Sequence, residues 1–312
     1  MSITSQVLQE VDKGRLGLNL GLPTGIPKLD SLIYGVQKST YYLIGGDSSA
    51  GKSSLGNQIG LFEPYAYSLS NPDKVDIDFT YFSFEMQAKK QFLRGISRHL
   101  YKVDRTVYSN EYLLSRKGKM SDNAYNKVKS VLPYFEELEK KISFYEVSLT
   151  PKRVEHILRN HLSKFGTFSK NNEDQEIYTL KPQFKNKHFI IIYDHASLTQ
   201  GEGNQDVKSK IDQVSKIFVN YRNMCELSII MLQQFNRGIK SMERKKYDSQ
   251  EPTSDDFSSS ANTFQDADVV LGIAYPITYG LDTYKGYMIN PTSGGFGNRF
   301  RGICVLKRKL ND

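Results

Sequence analysis

Residues 46 to 53 read Gly46-Asp47-Ser48-Ser49-Ala50-Gly51-Lys52-Ser53, the full G-x-x-x-x-G-K-[ST] pattern of a phosphate-binding loop. The chemistry of that pattern lies in its backbone. A tight turn ahead of a helix aims several N–H groups and the helix dipole at one anion. Gly46 and Gly51 let the chain curl close to the phosphates where a Cβ would intrude, and the backbone of Ser48, Ser49, Ala50 and Ser54 completes the cradle. Lys52 is spaced to reach the β- and γ-phosphates, and the Ser53 hydroxyl to hold Mg²⁺. The apolar run Tyr41-Tyr42-Leu43-Ile44 precedes the loop, and the helix-compatible Ser54-Leu55-Gly56-Asn57-Gln58-Ile59 follows it. The segment predicts a site for ATP or GTP with Mg²⁺.

Hydrolysis needs a second acid for the metal and a group to activate water. Phe189-Ile190-Ile191-Ile192-Tyr193-Asp194 is an apolar strand ending in a carboxylate. An acid at that end of a strand faces the crevice in which open α/β sheets bind ligands, so Asp194 is a candidate metal ligand, the alternative being an acid that caps the next turn. Glu85 ends Tyr81-Phe82-Ser83-Phe84-Glu85 and by the same rule lies near Asp194, as a candidate base or as the N-terminal acid of a helix. Gln234 follows Leu227 to Leu232. Its amide can bond a γ-phosphate and relay its presence to the next loop, or belong to a polar surface pair.

The elements that must position these groups are short apolar runs at Phe79 to Phe84, Phe189 to Tyr193, Leu227 to Leu232 and Val269 to Tyr275, in addition to the one before the loop. Each is nearly continuous in apolar residues and separated from the next by helical or loop segments, the signature of a mostly parallel sheet flanked by helices on both faces. Val207, Ile211, Val214, Phe218 and Tyr221 recur at steps of four and three, which predicts one face of a crossover helix. Asp122 to Lys141 reads as helix, and Thr150-Pro151 as the cap and first residue of another. Residues 166–187 read as a polar hairpin or loop insertion, and 238–260 as a long polar loop.

A chain of 312 residues with 38% hydrophobic content can bury one large α/β core. We read residues 1–22 as a short helical arm and 23–312 as the nucleotide-binding domain. No apolar run approaches membrane-spanning length, and the N-terminus lacks the layout of a signal peptide, so no membrane partner is expected. The two cysteines, Cys225 and Cys304, read as buried thiols in a reducing compartment. A net charge of +8 suits a polyanionic partner.

Thr24-Gly25, Leu29-Asp30, Gly35, the loop Gly46 to Ser53, Ser83-Phe84-Glu85-Met86, Asp194, Gln234-Phe235-Asn236-Arg237 and Gln265-Asp266-Ala267-Asp268 occur in one order and spacing. Together they resemble the RecA-like motor domain of DnaB-type replicative helicases, phage forms included, from about residue 23 to the C-terminus. The resemblance implies a RecA-like P-loop fold and a homo-hexameric ring that threads single-stranded DNA and hydrolyses ATP between subunits. It implies a setting in the bacterial or phage-infected cytoplasm, with a primase or a helicase loader as partner. It makes Glu85 the catalytic glutamate, Asp194 the metal-shell aspartate and Gln234 the nucleotide sensor. It also implies DNA contacts from Thr199 to Lys210 and from Arg237 into Gly238 to Ser260, where Lys208, Lys210, Lys240, Arg244, Lys245 and Lys246 would meet phosphates without reading bases. The family's K-x-R strand, whose arginine enters the neighbour's site, falls on Lys307-Arg308-Lys309, leaving Arg308 or Lys309 as the trans group. Residues 1–22 correspond to part of the linker helix that docks on the neighbour. The alternative is a recombinase-like or loader-type DNA-binding ATPase that does not unwind DNA.

Overall fold

Each apolar run becomes a strand: β1 Thr40–Gly46, β2 Asp76–Ser83, β6 Lys187–Asp194, β7 Ser228–Gln234 and β8 Val269–Ala274. Two others complete the main sheet, β3 Ile142–Tyr145 and β11 Gly302–Arg308, in the order β11-β8-β1-β7-β6-β2-β3. β11 runs antiparallel to β8, and all other neighbours are parallel. The architecture comes from a computed structural model, which describes residues 2–17, 20–116, 118–201, 206–241, 244 and 250–309.

Both faces of the sheet are covered, which is why its strands are apolar at successive positions. In β1, Tyr42 and Ile44 enter one core while Tyr41 and Leu43 enter the other. β6 divides in the same way, with Ile190 and Ile192 on the first face and Phe189, Ile191 and Tyr193 on the second. Each such side chain contributes about 1.5–3 kcal/mol by leaving water.

The first face is covered by α2 Pro27–Ile33, α3 Lys52–Asn57, α4 Glu63–Ser70, α5 Ala88–Asp104 and α7 Asp122–Glu139, and a short α6, Asn110–Leu113, follows α5. A π-turn, Gln58–Phe62, joins α3 to α4. The second face is covered by α8 Pro151–Ser163 and α9 Val207–Cys225. In α9 Ile211, Val214, Phe218 and Tyr221 are buried as the spacing predicts, while Val207 in the first turn is exposed. Thr150 caps α8 by accepting from Arg153 N. The insertion at 166–187 contains a hairpin of β4 Gly166–Lys170 and β5 Glu176–Leu180, and a second hairpin, β9 Thr283–Tyr284 with β10 Tyr287–Met288, lies between β8 and β11. Cys225 is buried and Cys304 half-buried, both as free thiols. Helix α1, Ile3–Arg15, presents Ile3, Val7, Leu8 and Val11 to solvent. Among the described residues no helix is long and apolar enough to cross a membrane.

Parallel strands end on one edge. Register places Gly46 beside Gln234 and Ser83 beside Asp194 there. Because β11 is antiparallel it begins at that same edge, Gly302 opposite Ala274, and finishes at the other with Arg308 opposite Val269.

Candidate phosphate-binding site

The turn from β1 into α3 has the backbone that its glycines allow. Gly51 sits at φ +102° as the N-cap of α3, in the left-handed region where a side chain is strained. A Cβ on Gly46 would lie 3.2 Å from Lys52 Cγ and 3.3 Å from Ala50 Cβ, so a side chain there would press on the loop. Ser48 and Ser49 are exposed at the crest, while Ala50 is buried. The amides of the first helical turn, which runs through Ser53 and Ser54, have no carbonyl of their own helix to bond and point out of its start. Lys52 is nearly buried, and its Nζ donates to Gly46 O at 3.0 Å and Asp47 O at 2.9 Å. Burial pushes its ammonium below its usual range, against the upward pull of Glu85, Asp194 and Asp47.

Asp194, at the end of β6, is 1% exposed, and neither carboxylate oxygen accepts a hydrogen bond. Burial therefore raises its carboxyl to about 6, with Ser53, Lys52 and Arg94 of α5 pulling down and Glu85 pushing up. A buried acceptor pair without donors beside a hydroxyl and an ammonium is the donor set that a hard divalent cation takes, one carboxylate with a serine and phosphate oxygens. Mg²⁺ fits these residues, which would hold it through Asp194 and Ser53. Among the described residues no cluster of three or more His, Cys, Asp or Glu side chains forms a site of its own.

Glu85 stands in the turn after β2, exposed, with Oε2 3.7 Å from Nε2 of His195. Burial holds the His195 imidazole below its ordinary range, and Lys52 adds to that while Glu85 opposes it. The turn is fixed at its start, where Phe84 N donates to Asp194 O at 2.8 Å. Gln234 is exposed at the end of β7, level with Gly46, whereas its neighbour Gln233 is buried and bonded to Phe257 O and Thr263.

The loop after β7 folds back over the phosphate-binding turn. Lys240 Nζ lies 3.2 Å from Oδ2 of the buried Asp47. Arg244 pairs with Asp256 Oδ1 at 2.5 Å and also donates to Glu251 O, which ties the loop to itself. Lys208 is exposed and Lys210 half-buried in the first turns of α9. The side chain of Arg237 and residues Lys245 and Lys246, expected in the same loop, lie outside the described residues.

Of the basic triplet at the end of β11, Lys307 is turned inward. Its Nζ donates to Phe264 O and Gln265 O at 2.6 and 2.7 Å, and burial pushes it down to about 8. Arg308 lies over the Tyr34 ring at 4.4 Å and donates to its hydroxyl at 2.6 Å. Lys309 is exposed. Seven strand residues at about 3.3 Å each put Arg308 and Lys309 roughly 20 Å from the sheet edge that carries their own phosphate loop.

Arg301, Arg94 and His195 were not among the sequence candidates, and neither was the pairing of Asp47 with Lys240. Arg301 donates to Ala50 O at 2.8 Å and Ser49 O at 3.4 Å while its guanidinium stacks 3.2 Å from the centre of the Tyr275 ring. Arg94, His195 and the Asp47–Lys240 pair join it. Only His195, directly after Asp194, was within reach of a spacing argument.

Comparison with known proteins agrees with this geometry. Residues 21–288 match the model of the DnaB-like helicase C-terminal domain. The replicative DNA helicase DnaB of Helicobacter pylori strain 26695 is 28% identical over 277 residues, covering 88% of this chain and 46% of that protein. The DnaB of Rickettsia prowazekii is 23% identical over 81% of this chain and 46% of its own length. The chain thus spans about half the length of these curated relatives. Among solved structures, an isolated ATPase domain superposes with a TM-score of 0.68 at 17% identity, covering 99% of this chain and 91% of that one. A DnaB-like replicative helicase studied with primase gives 0.66 at 16%, covering 99% and 62%. The fold is therefore that of RecA-like helicase ATPase domains, and with its phosphate loop, buried Asp194 and parallel edge the chain belongs to the DnaB-like helicase C-terminal domain family.

Proposed function

We propose that this chain is an ATP-dependent DNA helicase motor that translocates on single-stranded DNA, with residues 23–312 as the motor and the segment before them as a docking arm. The observation that carries the reading is the donor-free buried carboxylate of Asp194 between Ser53, Lys52 and Glu85. In the reading Lys52 and the loop amides bind the phosphates, Ser53 and Asp194 hold Mg²⁺, Glu85 orients and deprotonates the attacking water, and Gln234 reports the γ-phosphate to the loop that follows. His195, held neutral by its surroundings, is a nearby hydrogen-bonding partner for Glu85.

The site is completed by a second copy. Arg308 and Lys309 sit at the sheet edge remote from their own loop, a placement that suits a group acting on a neighbour's nucleotide. The exposed apolar stripe of α1 suits docking on a neighbour too. Both favour a ring, taken to be a hexamer on family grounds, with hydrolysis at subunit interfaces. Lys208 and Lys210 supply sequence-blind phosphate contacts in the central channel, which Lys240 joins on leaving Asp47, and a primase or a loader is the fitting protein partner. Lys309, a point charge where the family has a planar fork, favours one rival, a DNA-binding ATPase that does not unwind. Forked-duplex assays distinguish the two.

The test is Glu85→Gln in the full chain. DNA-stimulated ATP turnover should fall about 10²- to 10⁴-fold while nucleotide binding is kept. Wild-type turnover by this variant would remove Glu85 as the base.

A further inference from the structure

Beneath the site, four buried polar side chains from three elements bond only to one another and to one carbonyl. Tyr81 OH donates to Asn57 Oδ1 at 2.9 Å, Asn57 Nδ2 donates to Gln91 Oε1 at 2.8 Å, and Gln91 Nε2 donates back to Tyr81 OH at 3.1 Å. The ring is one-directional, since every member donates to the next and accepts from the last. Given that direction, reversing Asn57 alone would set acceptor against acceptor, and reversing Gln91 alone would set donor against donor. The second N–H of Gln91 points to Ser83 Oγ at 3.4 Å, so the Ser83 hydroxyl must donate elsewhere, and it donates to Met86 O.

Ser83 and Met86 are the two ends of the turn that carries Glu85. Asn57 closes α3, the helix that begins with Lys52 and Ser53, and stands where it passes into the π-turn. Gln91 is on α5 and Tyr81 on β2. The ring therefore ties the phosphate-loop helix to the turn of the catalytic acid through side chains that are all nearly solvent-free. Buried networks of this kind hold geometry tightly when fully satisfied and fail as a unit when one member is removed.

We infer that Gln91 is a positioning residue for Glu85, acting through Ser83, and that Asn57 couples this clasp to the nucleotide-binding helix. The inference rests on the reading of Glu85 as the base. Gln91 touches no substrate; its amide sets which way the Ser83 hydroxyl points, and that hydroxyl keeps the Glu85 turn closed. Loss of the clasp lets the carboxylate move relative to the water it activates, and errors near 1 Å in such positions reduce rates about 10²-fold.

The experiment measures DNA-stimulated ATP hydrolysis, the dissociation constant of MgATP and thermal unfolding in the full chain, for Gln91→Leu, Ser83→Ala, the double variant and Glu85→Gln. Gln91→Leu and Ser83→Ala should each lower kcat about ten- to a hundredfold, with nucleotide affinity within about threefold. The double variant should be no slower than Gln91→Leu alone, because both remove one clasp. Ser83→Ala deletes a single oxygen and carries the test if Gln91→Leu does not fold. Unchanged kcat in Ser83→Ala, additive losses in the double variant, or equal losses in affinity and kcat would overturn the positioning role while leaving Glu85 as the base if Glu85→Gln is inactive. Wild-type turnover by Glu85→Gln would overturn both.

Discussion

The buried carboxylate of Asp194 should cost this protein stability at neutral pH, and the cost can be worked from its surroundings. Its carboxyl titrates near 6 rather than at the ordinary 3.8, chiefly because burial disfavours the charged form. Protonation then favours the folded state, fully so below pH 3.8, and that advantage is lost as pH rises toward 6. A displacement of about two pH units at 1.4 kcal/mol per unit amounts to about 3 kcal/mol of penalty above pH 6. Asp194→Asn keeps the shape and removes the charge. Allowing about 1 kcal/mol for an amide whose donors are incompletely bonded, the variant should be about 2 kcal/mol more stable than wild type at pH 8. That is about 3 °C in Tm for a chain of this size. The gain should vanish between pH 4 and 5 and reverse below that, and Mg²⁺-dependent hydrolysis should be lost throughout. Thermal unfolding from pH 4 to 8 without nucleotide or Mg²⁺ reads the difference. A variant less stable than wild type at pH 8, or a gap that does not change with pH, would refute the reasoning.

Two other outcomes follow from the basic groups around the site. Subunit-mixing assays should show that doping wild type with Lys309→Ala lowers ATP turnover in proportion to the neighbour's deficiency, whereas Arg308→Ala, which loses only its contacts with Tyr34, should change turnover less than threefold; a larger loss in Arg308→Ala reverses the assignment. Asp47→Asn frees Lys240 from its buried partner and should steepen the log–log salt dependence of single-stranded DNA binding by about one phosphate's worth. Titration of a labelled oligonucleotide at several salt concentrations checks this, and an unchanged slope would mean that Lys240 meets no DNA phosphate.

The central strands were legible because burial on both faces writes itself as an unbroken apolar run, as Phe189 to Tyr193 shows. The phosphate loop was legible because its chemistry is local, a matter of backbone curvature over eight residues. β3 was missed for the opposite reason: it has four residues, sits at the sheet's edge and is only half-buried throughout, so its sequence carries neither a continuous run nor a clean alternation. Arg301, which no motif singles out, is the group that holds Ser49 and Ala50. That contact joins residues about 250 apart in the chain and depends on the antiparallel turn of β11, which no local pattern announces.

The choice between Arg308 and Lys309 shows how a single backbone irregularity can decide chemistry that residue types leave open. Strict alternation along β11 would place Val305, Lys307 and Lys309 on one face of the sheet and Leu306 with Arg308 on the other. The register instead slips between Val305 and Lys307. Val305 packs on the first core, Leu306 on the second, and Lys307 stays with the second by lying over Phe264. One extra residue on one strand exchanges the faces of everything after it. Arg308 is thereby delivered to Tyr34 at the end of α2, on the first face, and occupied there by stacking and a hydrogen bond. Lys309, the residue after the strand, is exposed, as is Arg308. The fork-shaped cation is thus engaged by Tyr34 within its own chain, although both cations are exposed. In the proposed ring we therefore favour Lys309 as the trans group, because the bulge gives Arg308 a partner within its own chain.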